Sequence, residues 1–288
     1  MTPLIDGDIL RYEIGFSGEY VDEETGEKVT RDFDFVAELF DSKVSEICAE
    51  VWATEPPIIY LSNDKSLHKK LNKRRKKEGK KEKEYVPNFR EKVATTKGYK
   101  ENRKKSSKPF HFDNLTAYIM ANYDCRIAEG FEADDLMSID QYRRLDELDT
   151  IICSRDKDLR ITPGMHFGWP CGKQKQFGPE RVSELGEISL RNGKLRGTGL
   201  KFFYSQLITG DTTDNIPGLP RGGPALACKL LSDCETEEDL FKQVVSKYEE
   251  KLGDDYREYL EEQAKLLWMV RETDDEGNLV YFKFPDRR

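Results

Sequence analysis

Five short acidic clusters are spread along this chain: Asp6, Asp64, Glu132 with Asp134 and Asp135, Asp156 with Asp158, and Asp211 with Asp214. Each falls at or just after a short apolar run, or beside a helix start. In a folded α/β domain such places come together at one edge of the sheet, so the clusters can share a site. Hard cations such as Mg²⁺ take carboxylate and water oxygens. Two of them about 3.5–4 Å apart clamp the attacking and leaving oxygens of an in-line phosphoryl displacement. The chemistry these residue types point to is hydrolysis of a phosphodiester.

Taken singly, every cluster has an ordinary explanation. Acids at Glu132, Asp134 and Asp135 complement the dipole of a helix start. Asp156 and Asp158 can form a turn, and Asp6 can begin one. Asp64 can cap a helix. Asp211 and Asp214 are spaced to share a helix face, or equally to shape a turn. The metal reading rests on all five occurring in one order along one chain.

The elements that must position them follow from hydrophobic periodicity. Pro3–Ile5 reads as a strand running into Asp6, 57–61 as a buried strand running into Asp64, and 150–153 as another running into Asp156. Between them, 35–51 places Val36, Leu39, Phe40, Val44, Ile47 and Val51 at helical spacing. Further helices are expected at 112–121, 132–145, 200–208, 237–251 and 256–270, with a strand at 125–128. Pro224 opens one more helix, since a proline is tolerated at a first helical position. Strands alternating with helices imply an α/β domain with a mostly parallel sheet.

Composition narrows the partners. The net charge is −8, yet residues 65–108 carry 19 Lys and Arg against 5 acids, a local charge of +14 that leaves −22 on the rest. A polyanion can be gripped by the basic segment while bound cations neutralise the acidic centre. The segment holds few core residues and is expected to be mobile without a ligand. Its stretch from Tyr99 to Arg103 mixes aromatic and basic side chains in a way suited to nucleic acid. No apolar run is long enough to span a membrane and no secretory leader is legible, so a cytoplasmic protein is expected. The six cysteines show no CxxC spacing and read as reduced thiols rather than zinc ligands. His111 reads as a hydrogen-bonded structural histidine rather than a general base. Around Gly218, Gly222 and Gly223 the chain turns sharply, where backbone amides can approach a phosphate.

With these motifs in hand, the chain resembles the 5′-nuclease superfamily of flap endonucleases, phage 5′ to 3′ exonucleases and the 5′-nuclease domain of bacterial DNA polymerase I. Asp6-Gly7, Asp64, Glu132-Ala133-Asp134-Asp135, Ser154-Arg155-Asp156-Lys157-Asp158 and Gly210-Asp211 through Asp214-Asn215-Ile216-Pro217-Gly218 match its five metal motifs in order. Tyr99-Lys100-Glu101-Asn102-Arg103-Lys104 is similar to the base of its helical arch. The resemblance implies a PIN-like α/β domain over 1–185 with a mostly parallel central sheet flanked by helices and a basic arch at 65–108. A helical region with a helix-three-turn-helix motif would follow over 186–288.

It further implies two Mg²⁺ ions, with Mn²⁺ as a substitute. Asp64 and Glu132 would face the first and Asp134 would bridge, with Asp135 in the same motif and Asp6 acting through water. Asp156, Asp158, Asp211 and Asp214 would face the second. Lys100 and Arg103 would reach the scissile phosphate. Lys97, Tyr99, Lys104, Gly218, Arg221, Gly222 and Gly223 would contact DNA. The hairpin departs from the family's Gly-x-Gly-x-Gly by reading Gly218-Leu219-Pro220-Arg221-Gly222-Gly223, and a K⁺ ion there is a further implication. The expected function is 5′ to 3′ exonuclease and flap endonuclease activity on DNA in phage replication or recombination, by a monomer. Two alternatives stand beside it: a primer-removing nuclease acting on RNA–DNA hybrid, and a catalytically silent DNA-structure binding protein.

Overall fold

Apolar runs buried on both faces make three strands of the central sheet, Thr2–Asp6, Ile58–Ser62 and Thr150–Cys153. The computed structural model describes residues 1–103 and 107–285. Lys104, expected to touch DNA, lies outside the described residues. The chain begins with β1 (Thr2–Asp6) and α1 (Gly7–Ser17), then a hairpin of β2 (Glu19–Val21) and β3 (Lys28–Thr30). Next come α2 (Phe33–Glu50), β4 (Ile58–Ser62), α3 (Lys65–Lys77), α4 (Phe89–Val93), α5 (Phe112–Asn122), β5 (Asp124–Ala128), α6 (Ala133–Arg143) and β6 (Thr150–Cys153). Strands β7 (Gly164–Gly168) and β8 (Phe177–Val182) precede a second hairpin, β9 (Ile188–Arg191) and β10 (Lys194–Gly197). Four helices close the chain: α7 (Gly199–Thr209), α8 (Pro224–Leu231), α9 (Glu237–Leu252) and α10 (Tyr256–Leu267).

The sheet order is β5-β4-β1-β6-β7-β8. Its β1–β4, β1–β6, β4–β5 and β6–β7 pairs are all parallel, with Leu4 opposite Ile58 and Ile152. This is the mostly parallel sheet flanked by helices that the strand–helix alternation implied. Helix α2 forms where Asp32 caps its start by accepting from the Phe35 N–H at 2.9 Å. It buries Val36, Phe40, Val44 and Ile47, one face at helical spacing, in a cluster with Ile5, Ile59, Ile151 and Phe167.

The chain divides into two compact units. One comprises Met1–Pro87, Ser106–Arg155 and Met165–Glu180, the other Asn88–Lys105, Asp156–Gly164 and Arg181–Arg288. The units interleave along the sequence rather than falling on either side of one boundary. In the second unit α7 is buried nearly all round, through Leu200, Phe202, Phe203, Tyr204, Leu207 and Ile208, as a helix enclosed by others must be. The region after 186, expected to be helical, opens on the β9–β10 hairpin. The basic segment also carries more structure than its composition suggested. Residues 65–77 form α3, which buries Leu67 alone, and farther along Phe89 and Arg90 are buried in the second unit. Among the described residues no helix is long and apolar enough to cross a membrane.

Candidate functional site

Asp6 and Asp64 stand at or just past the carboxyl ends of parallel strands and Glu132, Asp134 and Asp135 open α6, and a small hydrogen-bond network links these places. Asp6 ends β1 and caps α1, accepting from the Ile9 N–H at 3.0 Å. It is buried, and the Ser154 hydroxyl, just past β6, donates to it at 2.7 Å. Asp8 in the first turn of α1 accepts from the Ser62 N–H at the end of β4 and from Arg11. The Ser62 hydroxyl in turn accepts from the Ala133 N–H at the start of α6, 2.9 Å away. The ends of β1, β4 and β6 and the start of α6 are thus tied to one another by side chains.

Asp64 caps α3 through the Leu67 N–H at 2.7 Å, and Lys108 pairs with its outer oxygen at 3.0 Å. Burial alone would raise its pKa; the Leu67 N–H and the Lys108 ammonium outweigh this and hold it below the usual value. Glu132 and Asp135 form a capping box at the start of α6. Asp135 is fully buried there, while Glu132 and Asp134 are half-buried. Capping therefore accounts for the acid at Asp135 in local terms.

The second unit gathers the remaining acids. The Asp158 N–H donates to Asp156 at 2.8 Å, which folds the two carboxylates onto one short turn. Gln206 of α7 donates to Asp158 at 2.6 Å. Lys157 places its ammonium 2.8 Å from Asp158 and 2.6 Å from Asp211. Desolvation holds the Asp156 and Asp158 carboxyls above their usual range, helped by repulsion from Asp214 at Asp156 and from Asp156 and Asp211 at Asp158. Partial burial would lower the Lys157 pKa, but its pairs with Asp158 and Asp211 reverse that. Asp211 is buried; desolvation raises its pKa, while Lys157 and the Thr213 N–H bring it below the usual range. Asp211 and Asp214 lie in a tight turn closed by the Asp211–Ile216 bridge, so of the two geometries open to their spacing the turn is the one adopted.

The aromatic–basic stretch docks on this turn. Tyr99 donates from its hydroxyl to Asp214 at 3.0 Å, Arg103 donates to the other Asp214 oxygen, and the Lys100 ammonium is 3.7 Å from the first. The Asn102 amide donates to the Thr212 carbonyl at 2.6 Å and the Asn215 amide to the Gly98 carbonyl at 2.8 Å. Lys97 is exposed. In the glycine hairpin, Gly218 has φ of +65° and a Cβ there would lie 2.2 Å from the Gly210 nitrogen, while one at Gly222 would meet the Ile208 carbonyl at 2.0 Å. Both positions need glycine. The Gly218 N–H is taken by Gln263 and that of Gly222 by Leu219, while Arg221 is exposed and Gly223 caps α8.

Whether these residues suit a divalent ion is a question of donor chemistry and charge. All the candidate donors are carboxylate oxygens, the ligands hard cations prefer. Among the described residues no three His, Cys, Asp or Glu side chains stand close enough to hold an ion as they are. Instead a positive group rests on the carboxylates: Lys157 on Asp158 and Asp211, Arg103 on Asp214, Lys108 on Asp64. The donor chemistry would suit a hard divalent ion, whose charge would take the place of these cations. Sequence reasoning gave no role to Asp8, Ser62, Ser154 or Gln206. Asp8, two residues from Asp6, was the one with a local signal. His111 is buried and hydrogen-bonded to the Arg31 carbonyl at 2.9 Å, in keeping with a structural role.

No protein-family model matches the chain. Over 117 residues, 39% of this chain, it is 36% identical to DNA polymerase I of Rhizobium leguminosarum. Over 190 residues, 62% of the chain, it is 27% identical to DNA polymerase I of Bacillus subtilis (strain 168). The chain covers 10% and 20% of the length of these two relatives. Among solved structures, the T5 D15 protein co-crystallised with metal ions superposes with a TM-score of 0.54 at 13% identity, over 93% of this chain and 90% of that one. The chain shares the fold of that T5 protein.

Proposed function

We propose that this chain is a member of the 5′-nuclease superfamily and a divalent-metal-dependent 5′-nuclease acting on DNA. It would cleave phosphodiesters from a free 5′ end and at flaps, leave a 5′-phosphate, and serve phage replication or recombination as a monomer. The observation that carries this reading is that Asp6 and Asp64 stand at or just past the carboxyl ends of parallel strands and Glu132 and Asp134 open α6, places that Asp8, Ser62, Ser154 and Ala133 link. Fold alone would not justify it, since function belongs to sites rather than folds.

Asp64, Glu132 and Asp134 are assigned to one Mg²⁺, with Asp6 supporting it through water. Asp156, Asp158, Asp211 and Asp214 are assigned to a second, and Mn²⁺ is expected to substitute. When bound, such ions supply Lewis acidity toward phosphoryl oxygens and a nucleophile at neutral pH. The chain's own cations do the rest. Lys100 and Arg103 place positive charge for the scissile phosphate, where a preorganised donor matters most as charge develops. Lys97, Tyr99 and the lysines of α3 track the strand. Arg221 and the N-terminus of α8 suit duplex phosphates, with K⁺ as a further ligand of the glycine hairpin.

The test is cleavage of end-labelled flap, nicked, blunt and RNA–DNA hybrid substrates with Mg²⁺ and with EDTA. Metal-dependent release of 5′-phosphate products from flap or nicked DNA is the expected result. Preference for the hybrid would make primer removal the function. Tight structure-selective binding with no cleavage under any metal would leave only a DNA-binding protein.

A further inference from the structure

Glu262, in the second half of α10, spends its carboxylate on one short piece of chain. One oxygen accepts from the backbone N–H groups of Thr95 at 2.7 Å and Thr96 at 2.8 Å. The other accepts from their hydroxyls, at 2.9 Å and 2.6 Å. Four donors use all the lone-pair sites an ionised carboxylate has. Burial alone would raise its pKa, yet the Thr96 and Thr95 bonds hold it below the usual glutamate value. Arg90 fastens the same piece upstream. Its guanidinium is buried and donates to the carbonyls of Leu266 at 3.0 Å and Trp268 at 2.7 Å, at the end of α10.

Downstream, the backbone is led directly to the two cations assigned to the phosphate. The Gly98 carbonyl is held by Asn215, and the Lys100 N–H donates to the Asp214 carbonyl at 3.0 Å. Lys100 itself is left-handed, with φ of +56°. A non-glycine residue keeps such a conformation only where its surroundings impose it. Thr95 and Thr96 are exposed, so packing does not impose it from their side. Asn215 and Asp214 hold Gly98 and Lys100 directly, and the α10 carboxylate fixes where the chain starts toward them.

We propose that Glu262 is a positioning residue, which sets the backbone of 95–103 so that Lys100 and Arg103 are presented in one geometry. The catalytic half of this inference rests on the nuclease reading; the placement half does not. Glutamine at 262 keeps an oxygen for the two N–H groups and an amide that can donate to the hydroxyls, whereas alanine keeps neither.

Two measurements on the full chain separate these halves. In the first, amide hydrogen exchange is followed in the metal-free, DNA-free protein. Glu262→Ala is expected to speed exchange over 95–103 by about tenfold or more, a loss consistent with one locally opened segment, while the amides of α7 stay protected. Glu262→Gln is expected to stay close to wild type. The double change Thr95→Ala with Thr96→Ala removes two of the four donors from exposed positions, and should reproduce part of the effect without disturbing α10. In the second, single-turnover cleavage of a flap substrate is measured at saturating enzyme. Glu262→Ala is expected to slow it by about tenfold to a hundredfold, the cost of a small misplacement, while DNA affinity moves by less than about threefold. In a Lys100→Ala background the same change should add less than about twofold, because residues acting as a unit are not additive. Unchanged exchange over 95–103 overturns the placement. Effects that multiply with Lys100→Ala reduce Glu262 to a general stabiliser and overturn its positioning role. If wild type cleaves nothing, the nuclease reading fails, and the exchange result still decides the placement.

Discussion

At the scale of the residue, the question is which charges chemistry needs and which only the fold needs. Asp134→Asn and Asp156→Asn each remove a charge assigned to a metal while leaving shape intact. Each is expected to lower cleavage by at least about a hundredfold, the order of several kcal/mol that a bound ion contributes. DNA affinity measured in EDTA should stay within about tenfold, since neither residue belongs to the proposed grip. Near-wild-type turnover by either variant at saturating Mg²⁺ would sink the assignment. Lys100→Ala should slow the single-turnover rate by about tenfold to a hundredfold, more than it weakens binding, because a cation at the phosphate is strongest when charge develops. Full rate at saturating enzyme would mean that Lys100 only positions the strand.

At the scale of the element, Asp64 has one observed role and one proposed role, and substitution can separate them. It caps α3 through the Leu67 N–H, and it is assigned to a metal. Asparagine caps as well as aspartate but brings no charge. Asp64→Asn should therefore unfold within about 0.5 kcal/mol of wild type yet lose cleavage, whereas Asp64→Ala should also lose about 1 kcal/mol of stability. Equal activity loss with equal stability loss in both would contradict the dual role. Helix α10 makes a pH-dependent contribution through Glu262. Its pKa in the folded protein lies below the ordinary 4.5, so the stabilisation is complete above that value and is lost as pH falls through the lowered one. The stability advantage of wild type over Glu262→Gln, from chemical unfolding at a series of pH values, should be constant near neutrality and shrink below about 4.5. An advantage that grows toward acid pH would show that the carboxylate is not the stabilising form.

At the scale of the whole molecule, the net charge of −8 hides an uneven distribution, a basic segment of +14 against −22 on the rest. Affinity for DNA should come from that segment by counterion release, and so weaken steeply with salt. Lys69, Lys73, Lys76 and Lys77 are exposed on α3. Changing all four to alanine should flatten the slope of log affinity against log salt by about 0.9 for each duplex phosphate that α3 no longer neutralises. A slope unchanged across the four substitutions would make α3 a solvated helix with no part in binding.

What the sequence determined by itself was everything encoded by local pattern. Strands β1, β4 and β6 were legible because burial on both faces leaves unbroken apolar runs, and α2 because one buried face imposes helical spacing on Val36, Phe40, Val44 and Ile47. The order of the acidic motifs was legible for the same reason, since each follows an element that periodicity marks. Helix α1 was not, because its inward face includes Arg11, whose buried charge is balanced by Asp8 and the Phe112 ring, and so breaks the apolar pattern. The spacing of Asp211 and Asp214 allowed a helix or a turn, and only the Asp211–Ile216 bridge decided it. The tertiary structure alone decided that Tyr99 and Arg103 close on Asp214, 115 and 111 residues away, and that Thr95 closes on Glu262, 167 residues away. Periodicity records which side chains are buried, whereas a hydrogen bond between distant polar residues leaves no trace in the neighbours of either.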